Sequence, residues 1–261
     1  MRIDNSSLLN QLNNDEKFLI NKIIDMIEIS QTRYQPVFSF FLDERQQMIA
    51  KAVLQKEHIE NFEFFGGYES AKRKVLCVYP EYVIPDKSDY PFTAVTIKHR
   101  IADRISHRDI LGSLMGLFIK RETLGDILVT GGEEDFVFVY NSVLPVVLDE
   151  LIKVGSKGVT CSVGFDESKI PVDKYTQISG FVSSLRIDSI LSVALKVSRE
   201  KAANIVNSIG VDINYVNITS KSEMVEEGDV FSIKGYGKFF LSQINGTSKK
   251  GRIHITINKY I

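Results

Sequence analysis

The sequence is poor in the residues that hold metals or build disulfide frameworks. It has two cysteines, Cys77 and Cys161, which lie far apart in apolar runs, and four scattered histidines. None of these residues has the spacing of zinc ligands, and two distant thiols are typical of a reduced intracellular protein. We therefore expect buried free thiols, no metal site and no cofactor.

Long apolar runs are also missing. No stretch approaches the about 20 residues that a membrane-spanning helix needs. The first residues, Met1-Arg2-Ile3-Asp4, lead into no apolar segment of the kind found in secretory signals. With 44% hydrophobic and 25% charged residues, the composition is that of a folded globular protein. We expect a monomeric, cytoplasmic protein of two or three domains.

Catalytic motifs are incomplete. His107-Arg108-Asp109 matches a fragment of a kinase catalytic loop, but a glycine-rich phosphate loop and an Asp-Phe-Gly motif are missing. His107 and Asp109 lie two residues apart in a predicted helix, so their side chains point to different faces and do not suit an acid–base pair. We expect no catalytic residues and a protein that is not an enzyme.

What the sequence does have is an uneven distribution of charge. From Thr176 to Ile261 there are 11 Lys and Arg against 7 Asp and Glu, a net charge of +4. The whole chain has a net charge of −1, so the rest carries −5. A basic nucleic-acid-binding module attached to an acidic body has this distribution.

The first sixty residues, 1–60, are predicted to form an N-terminal helical segment. Asp15 is placed to cap an amphipathic helix, and this helix ends near Pro36 because a residue before proline is pushed out of the α region. Asp43 is placed to cap a second helix.

Residues 61–165 are predicted to form a central α+β domain. Apolar runs at 62–65, 75–79, 92–98, 126–130, 135–140 and 158–163 predict strands, and 107–119 and 143–154 predict helices. Hairpin-paired strands with two helices favour a sheet of the ferredoxin or RNA-recognition-motif type. Gly112 and Gly116 predict close packing of their helix on this sheet. The polar stretch 166–180 is predicted to be a linker.

The remaining residues, 181–261, predict two short amphipathic helices followed by strands. Ser184 and Ser198 are placed as caps, with Arg186 in the first turn of one helix and Arg199 and Lys201 in the first turn of the next. A cation at a helix N-terminus is unfavourable by a few tenths of a kcal/mol. A phosphate bound at the helix start would explain why cations stand there. The alternative is that Arg199 merely pairs with Asp188 and that Lys201 is solvated.

This C-terminal pattern resembles the RNA-binding domain first described in small-subunit ribosomal protein four, the S-four or αL domain. The resemblance spans about 55 residues and is carried by segments that occur in the same order: Arg186-Ile187-Asp188, Leu191, Ser198-Arg199, Ala202, Val211-x-Ile213-Asn214, Gly228-Asp229 and Gly235-x-Gly237-Lys238.

The preceding segments resemble the YlmH family of Firmicutes, a bacterial RNA-binding family encoded in a cell-division gene neighbourhood. The motifs that carry this resemblance are Phe41-Leu42-Asp43-x-Arg45, Phe64-Phe65-Gly66-Gly67-Tyr68-Glu69-x-Ala71-x-Arg73, Tyr79-Pro80-x-Tyr82, His107-Arg108-Asp109-Ile110-Leu111-Gly112-x-Leu114-Met115-Gly116, Lys120-Arg121-Glu122 and Gly125-Asp126-Ile127. Together with the C-terminal module, the resemblance covers nearly the whole chain.

The resemblance implies a factor that binds rRNA and tRNA on the large ribosomal subunit. The implied role is ribosome-associated quality control, in which stalled peptidyl-tRNA is held during C-terminal tailing of the nascent chain, with the tailing factor RqcH as a partner. The candidate RNA-binding residues are Arg186, Asp188, Ser198, Arg199, Lys201, Asn214, Lys238, Lys249, Lys250 and Arg252. A second candidate surface comprises His107, Arg108, Lys120 and Arg121.

Two other functions stay open at this stage. One is an RNA-modifying enzyme that uses the C-terminal module as an anchor, as some pseudouridine synthases do, although the sequence shows no catalytic carboxylate motif and no cofactor loop. The other is an interaction protein in cell division, which rests on the gene neighbourhood alone.

Overall fold

The computed structural model describes residues 12–171, 174–248 and 251–260, and its chain divides into two units, 12–171 and 174–260. Leu12 to Pro171 are called the first unit here, and the remainder the second unit. The main elements of the first unit are α1 (Asn14–Arg33), β1 (Val37–Leu42), α2 (Glu44–Lys56), β2 (Phe62–Phe65), β3 (Lys74–Val78), β4 (Phe92–Lys98), α3 (His107–Gly116), β5 (Leu124–Leu128), β6 (Glu134–Tyr140), α4 (Leu144–Glu150), β7 (Lys153–Val154), β8 (Lys157–Gly158) and β9 (Thr160–Val163).

Reciprocal side-chain caps begin three of these helices. Asp43 accepts from the Gln46 amide at the start of α2, as predicted, and Ser106 accepts from the Asp109 amide at the start of α3. The cap of α1 is Asn13 and not Asp15, because the Asn13 side chain accepts the amide proton of Glu16. Each cap thus fixes the residue at which its helix begins.

A three-stranded antiparallel sheet with strand order β1-β3-β2 follows α1. The prediction that 1–60 is helical is therefore wrong for β1, whose Val37 lies opposite Val78. The predicted start of the central domain at residue 61 is wrong as well, because β2 and β3 pair with β1 and not with the later strands. Helices α1 and α2 contact β1, and α1 also contacts β3.

The predicted ferredoxin-type topology occurs between Phe92 and Val163. A four-stranded antiparallel sheet here has the strand order β5-β6-β4-β9. Along the chain, its strands and two helices follow one another as β4, α3, β5, β6, α4 and β9. This is the β-α-β-β-α-β arrangement of ferredoxin-like domains. The α+β prediction is confirmed, with the domain beginning about thirty residues later than predicted.

An aromatic core joins the two sheets of the first unit. Phe136 and Phe138 of β6 are buried on the sheet face opposite the helices, where they join a cluster with Phe41 and Tyr68. Val95 and Val137 lie in a separate cluster with residues of α3 and α4. The unit is therefore layered as helices, sheet, sheet and helices. The face of the four-stranded sheet that RNA-recognition motifs use to stack bases is covered here.

The second unit contains two helices and a six-stranded antiparallel sheet with strand order β10-β15-β14-β13-β11-β12. Its elements are β10 (Tyr175–Val182), α5 (Ile187–Ala194), α6 (Arg199–Ile209), β11 (Val211–Ile213), β12 (Val216–Ile218), β13 (Val230–Ile233), β14 (Gly237–Thr247) and β15 (Ile253–Tyr260). Both helices contribute apolar residues to one core with the sheet.

Two boundary predictions in this unit are wrong. The linker 166–180 ends at residue 174, because β10 begins at Tyr175 and pairs with β15 over its whole length. Ser184 does not cap α5: the N-cap position is occupied by Arg186, and the Ser184 hydroxyl lies 3.3 Å from that of Ser189. Ser198 caps α6 as predicted, by accepting from the Lys201 amide.

Within residues 12–171, 174–248 and 251–260, no helix is both long enough and apolar enough to cross a membrane.

Candidate nucleic-acid interface

Two arginines at the starts of consecutive helices share one carboxylate. Arg186 donates from Nε and Nη2 to Asp188 at 3.2 and 3.3 Å. Arg199, the first residue of α6, donates from Nε and Nη2 to the same carboxylate at 3.0 and 3.3 Å, and from Nη1 to Ser183 Oγ. The pairing of Arg199 with Asp188 that the sequence left as an alternative is therefore present. The same carboxylate also brings Arg186 and Arg199 together.

This Arg186–Asp188–Arg199 triad keeps a net positive charge. Burial alone would raise the pKa of Asp188, but the hydrogen bonds and charge of Arg199, followed by those of Arg186, outweigh burial and hold this pKa below its ordinary value. One ionised carboxylate against two guanidiniums leaves one unit of positive charge. The Asp188 side chain is 5% exposed, whereas those of Arg186 and Arg199 are 32% and 47% exposed. The outer edges of both arginines remain open to an anion.

Lys201 adds a further cation to the first turn of α6. The residue is exposed, and the ammonium group has no hydrogen-bond or ion-pair partner in the part of the chain that the structure describes. The Ser198 hydroxyl is occupied by the Lys201 amide. Ser198 therefore shapes the helix start and Lys201 supplies the charge.

The two candidates on the strands are more constrained. Asn214 has a left-handed backbone with φ 47°; its amide group donates to Asp229 and accepts from the Val230 amide, at 2.7 and 3.0 Å. Asn214 therefore holds a turn. Lys238 donates to the Tyr215 hydroxyl at 3.1 Å, and its ammonium lies over the rings of Tyr215 and Tyr260. Lys238 thus stands in an aromatic setting and is not a freely solvated cation.

The last basic candidates lie around the loop between β14 and β15. Arg252 is exposed, and its amide donates to Ser248 Oγ. Lys249 and Lys250 lie outside the described residues. The structure thus places Arg252 on the surface of the second unit.

The second candidate surface lies in the first unit, with His107 and Arg108 at the start of α3 and Lys120 and Arg121 in the segment that follows the helix. Arg108 and Lys120 are exposed, and Arg121 is half-buried. Burial and the charge of Arg121 lower the pKa of His107, and the charge of Asp126 opposes them. Of the four candidates, His107 and Arg121 are thus close enough to interact electrostatically.

Arg73 belongs to this surface and was missed at the sequence level. Its Nε donates to the Leu124 carbonyl at 2.9 Å, and Nη1 of Arg121 donates to the same oxygen at 2.8 Å. Burial and the charge of Arg121 lower the pKa of Arg73 to about 10. Arg73 stands in one of the motifs that resemble the YlmH family, but a lone arginine in a motif gave no signal that a second arginine lies beside it.

Asp126 fixes the position of Arg73. The buried carboxylate accepts from the Tyr68 hydroxyl at 2.7 Å and from the backbone amides of Lys72 and Arg73 at 2.7 and 3.0 Å. Gly125 is required beside it, because a Cβ there would lie 2.7 Å from the Phe41 ring. Hydrogen bonding by Asp126 and close packing at Gly125 therefore explain the Gly125-Asp126 motif.

Among the described residues there is no group of three His, Cys, Asp or Glu side chains that could hold a metal ion. The two thiols are free, with Cys77 buried and Cys161 half-buried. Burial raises the pKa of the Cys77 thiol to about 12 and that of Cys161 to about 11. Neither thiol is therefore activated as a nucleophile at neutral pH.

Comparison with known proteins gives one family match. The family described as "Putative RNA-binding domain in YlmH" matches residues 85–167. These residues enclose the β-α-β-β-α-β elements from Phe92 to Val163.

Individual proteins are also similar to the chain. "Ribosome-associated protein quality control protein P2" of Bacillus subtilis (strain 168) is 30% identical over 258 residues, which covers 97% of this chain and 99% of that protein. The solved structure of "Cell division protein ylmH from Streptococcus pneumoniae" has a TM-score of 0.53 and 21% sequence identity, and the match covers 62% of this chain and 98% of that one. The likeness to this solved structure concerns the fold.

Proposed function

The chain belongs to the YlmH family, and from this premise we propose that it is a non-enzymatic RNA-binding factor of ribosome-associated quality control. It binds rRNA and tRNA on the large ribosomal subunit and holds stalled peptidyl-tRNA during C-terminal tailing of the nascent chain, with the tailing factor as its partner. Such a role places the protein in the cytoplasm.

The single observation that carries this proposal is the Arg186–Asp188–Arg199 triad. The side chains of both arginines stay partly exposed while one buried carboxylate holds them at the starts of neighbouring helices. Guanidinium groups fixed in this way lose little conformational freedom when they bind phosphate oxygens. Lys201 extends the same positive edge.

The C-terminal helix pair and sheet support an S-four-type module as the RNA-binding part. Residues of α5 and α6 that carry this resemblance either fill the core, as Leu191 and Ala202 do, or stand in the cationic edge, as Arg199 does. Duplex RNA is recognised mainly by shape and by phosphate and sugar contacts. A rigid cationic edge without base-specific groups fits an RNA helix of this kind.

The proposal is tested with Lys201→Glu in the full chain. This side chain has no partner among the described residues, so the fold should be retained. We expect about tenfold weaker co-sedimentation with large ribosomal subunits. The dependence of log K for binding on log salt concentration should also become shallower, by about the contribution of one phosphate contact.

Lys56→Glu is the matched control, because Lys56 is an exposed lysine at the end of α2 in the first unit. It should leave co-sedimentation within about twofold of the unaltered chain, since its charge is remote in sequence and belongs to no candidate site. Equal sedimentation of the Lys201→Glu chain and the Lys56→Glu chain would refute the proposed role of the second unit.

A further inference from the structure

Arg73 and Arg121 form a pair of like charges without an ion-pair partner among the described residues, although the charges of Asp43 and Asp126 act on both from a longer distance. Both donate to the Leu124 carbonyl, and their other hydrogen-bond partners among the described residues are backbone carbonyls: Phe41 and Arg121 for Arg73, and Gly125 for Arg121. Neither guanidinium forms an ion pair with another described residue, in contrast to Arg186 and Arg199. Nη1 of Arg73 and Nη2 of Arg121 have no hydrogen-bond acceptor in the part of the chain that the structure describes.

A surface pocket lies at this arginine pair. Its lining comprises Phe41, Asp43, Gln46, Arg73, Lys120, Arg121 and Glu122. Of its two carboxylates, Asp43 is engaged as the cap of α2. Asp43 keeps its negative charge in that role, so the three cations of the lining outnumber its two carboxylates by one. Half-buried guanidiniums with spare donors gain most from a ligand that is both anionic and rich in acceptors, as a phosphate is.

Phe118 projects from the chain two residues before Lys120. Its residue surface is 95% exposed, and its backbone is left-handed with φ 59°. A bulky side chain in this conformation is strained, and here the strain is not repaid by burial in the protein. An exposed aromatic ring two residues in sequence from the lining of a cationic pocket suits single-stranded nucleic acids, because bases stack on aromatic faces while cations hold the backbone.

The face of the four-stranded sheet cannot supply the stacking surface. RNA-recognition motifs stack bases on aromatic residues of the open sheet face. In this chain the corresponding rings, Phe136 and Phe138, are packed against Phe165 and the three-stranded sheet. An aromatic platform must therefore come from an edge of the domain.

We propose that the first unit binds single-stranded RNA at its own site, in which Arg73, Lys120 and Arg121 hold a backbone phosphate and Phe118 stacks on a neighbouring base. The site rests on the proposed function in one respect, that the ligand of the chain is RNA. It is separate from the Arg186–Asp188–Arg199 triad and from the duplex contact assigned to the second unit.

The test uses the full chain carrying Lys201→Glu, so that RNA binding by the second unit is weakened. The probe is a labelled oligouridylate of about 12 nucleotides, a typical length for a single-stranded site, followed by fluorescence anisotropy. Adding Phe118→Asn and Lys120→Glu should raise the Kd for this probe by about tenfold. A Kd within about twofold of that of the parent chain overturns the proposal.

Three further variants separate binding from folding. Phe118→Asn should leave the Tm unchanged or higher, since asparagine tolerates the left-handed backbone, so a lost contact cannot be ascribed to unfolding. Tyr82→Asn, at a tyrosine of the first unit that is 90% exposed, should leave the Kd unchanged. Glu122→Gln should lower the Kd, because it removes the opposing charge of the pocket, and a higher Kd for this variant contradicts the proposed phosphate position.

The two proposals fail in different assays. If Lys201→Glu leaves large-subunit sedimentation intact while the Phe118 and Lys120 variants lose oligouridylate, the proposed role of the second unit fails and the site in the first unit stands. In a competition assay, unlabelled oligouridylate should displace the probe better, per phosphate, than inorganic phosphate does. Equal displacement per phosphate would show that Phe118 contributes no stacking and would overturn that part of the proposal.

Discussion

At the scale of single residues, one buried carboxylate decides where two cations stand. Asp188 is 3% exposed as a residue and accepts hydrogen bonds from two guanidiniums whose parent residues are 13 positions apart in sequence, Arg186 and Arg199. A buried carboxylate is costly unless it is paired, and a second arginine then adds charge without adding a further buried anion. The RNA-binding candidates thus include an acidic residue whose role is to position the basic ones.

Asp188→Asn should lower the free energy of unfolding by about 1–3 kcal/mol, because charged hydrogen bonds to both arginines are weakened. The pKa of Asp188 is lowered in the folded state, so its contribution to stability is present above the ordinary carboxyl pKa of 3.8 and is lost as the pH falls through the folded pKa. Urea unfolding at neutral and acid pH measures both effects.

Asp212→Asn serves as the control for that prediction, since Asp212 is an exposed carboxylate that accepts from the side-chain amide of Asn217. Its free energy of unfolding should change by less than about 0.5 kcal/mol. A difference in stability between the unaltered chain and the Asp188→Asn variant that stays constant down to a pH well below 3.8 would contradict the assigned role of the carboxylate.

At the scale of elements, α3 differs from what its glycines predict. Gly112 and Gly116 were expected to let the helix pack closely on the sheet, but a Cβ at either position would meet no atom within 4 Å. The buried positions of the helix are Ile110 and Leu114, which face the core of the four-stranded sheet. The two glycines therefore lie on the open side of α3, and the prediction of close packing is wrong.

Gly112→Ala should therefore raise the free energy of unfolding by about 0.5–1 kcal/mol, because alanine favours the helix and has room. Gly125→Ala makes the same change in β5 and should lower it by about 1–3 kcal/mol, since the added Cβ would lie 2.7–2.9 Å from Phe41 and Phe138. Chemical denaturation of the two variants should give opposite signs, and equal signs would show that the packing described here is incorrect.

At the scale of the whole molecule, each unit has a core of its own. The buried cluster of the second unit draws its members from Val182 to Ile257. The clusters of the first unit draw theirs from Phe41 to Val154. Each of these clusters of described residues lies within one unit, and a unit with a core of its own can be stable alone.

Residues 12–171 and 172–261, expressed as separate chains, should accordingly both fold cooperatively. Their far-ultraviolet circular dichroism spectra should sum to that of the intact chain, and each should show its own thermal transition. A fragment that is unfolded at 25 °C while the intact chain is folded would contradict the independence of the two cores.

Local signals in the sequence already determined the starts of α2, α3 and α6, the strand at Phe92–Lys98 and the α+β class, because caps and hydrophobic periodicity act over a few residues. Tertiary structure alone decided that β1 pairs with β3, that Asp188 joins Arg186 to Arg199, and that Arg73 stands beside Arg121. Strand register and the packing of distant segments set these contacts, and no short-range pattern records which side chains they bring together.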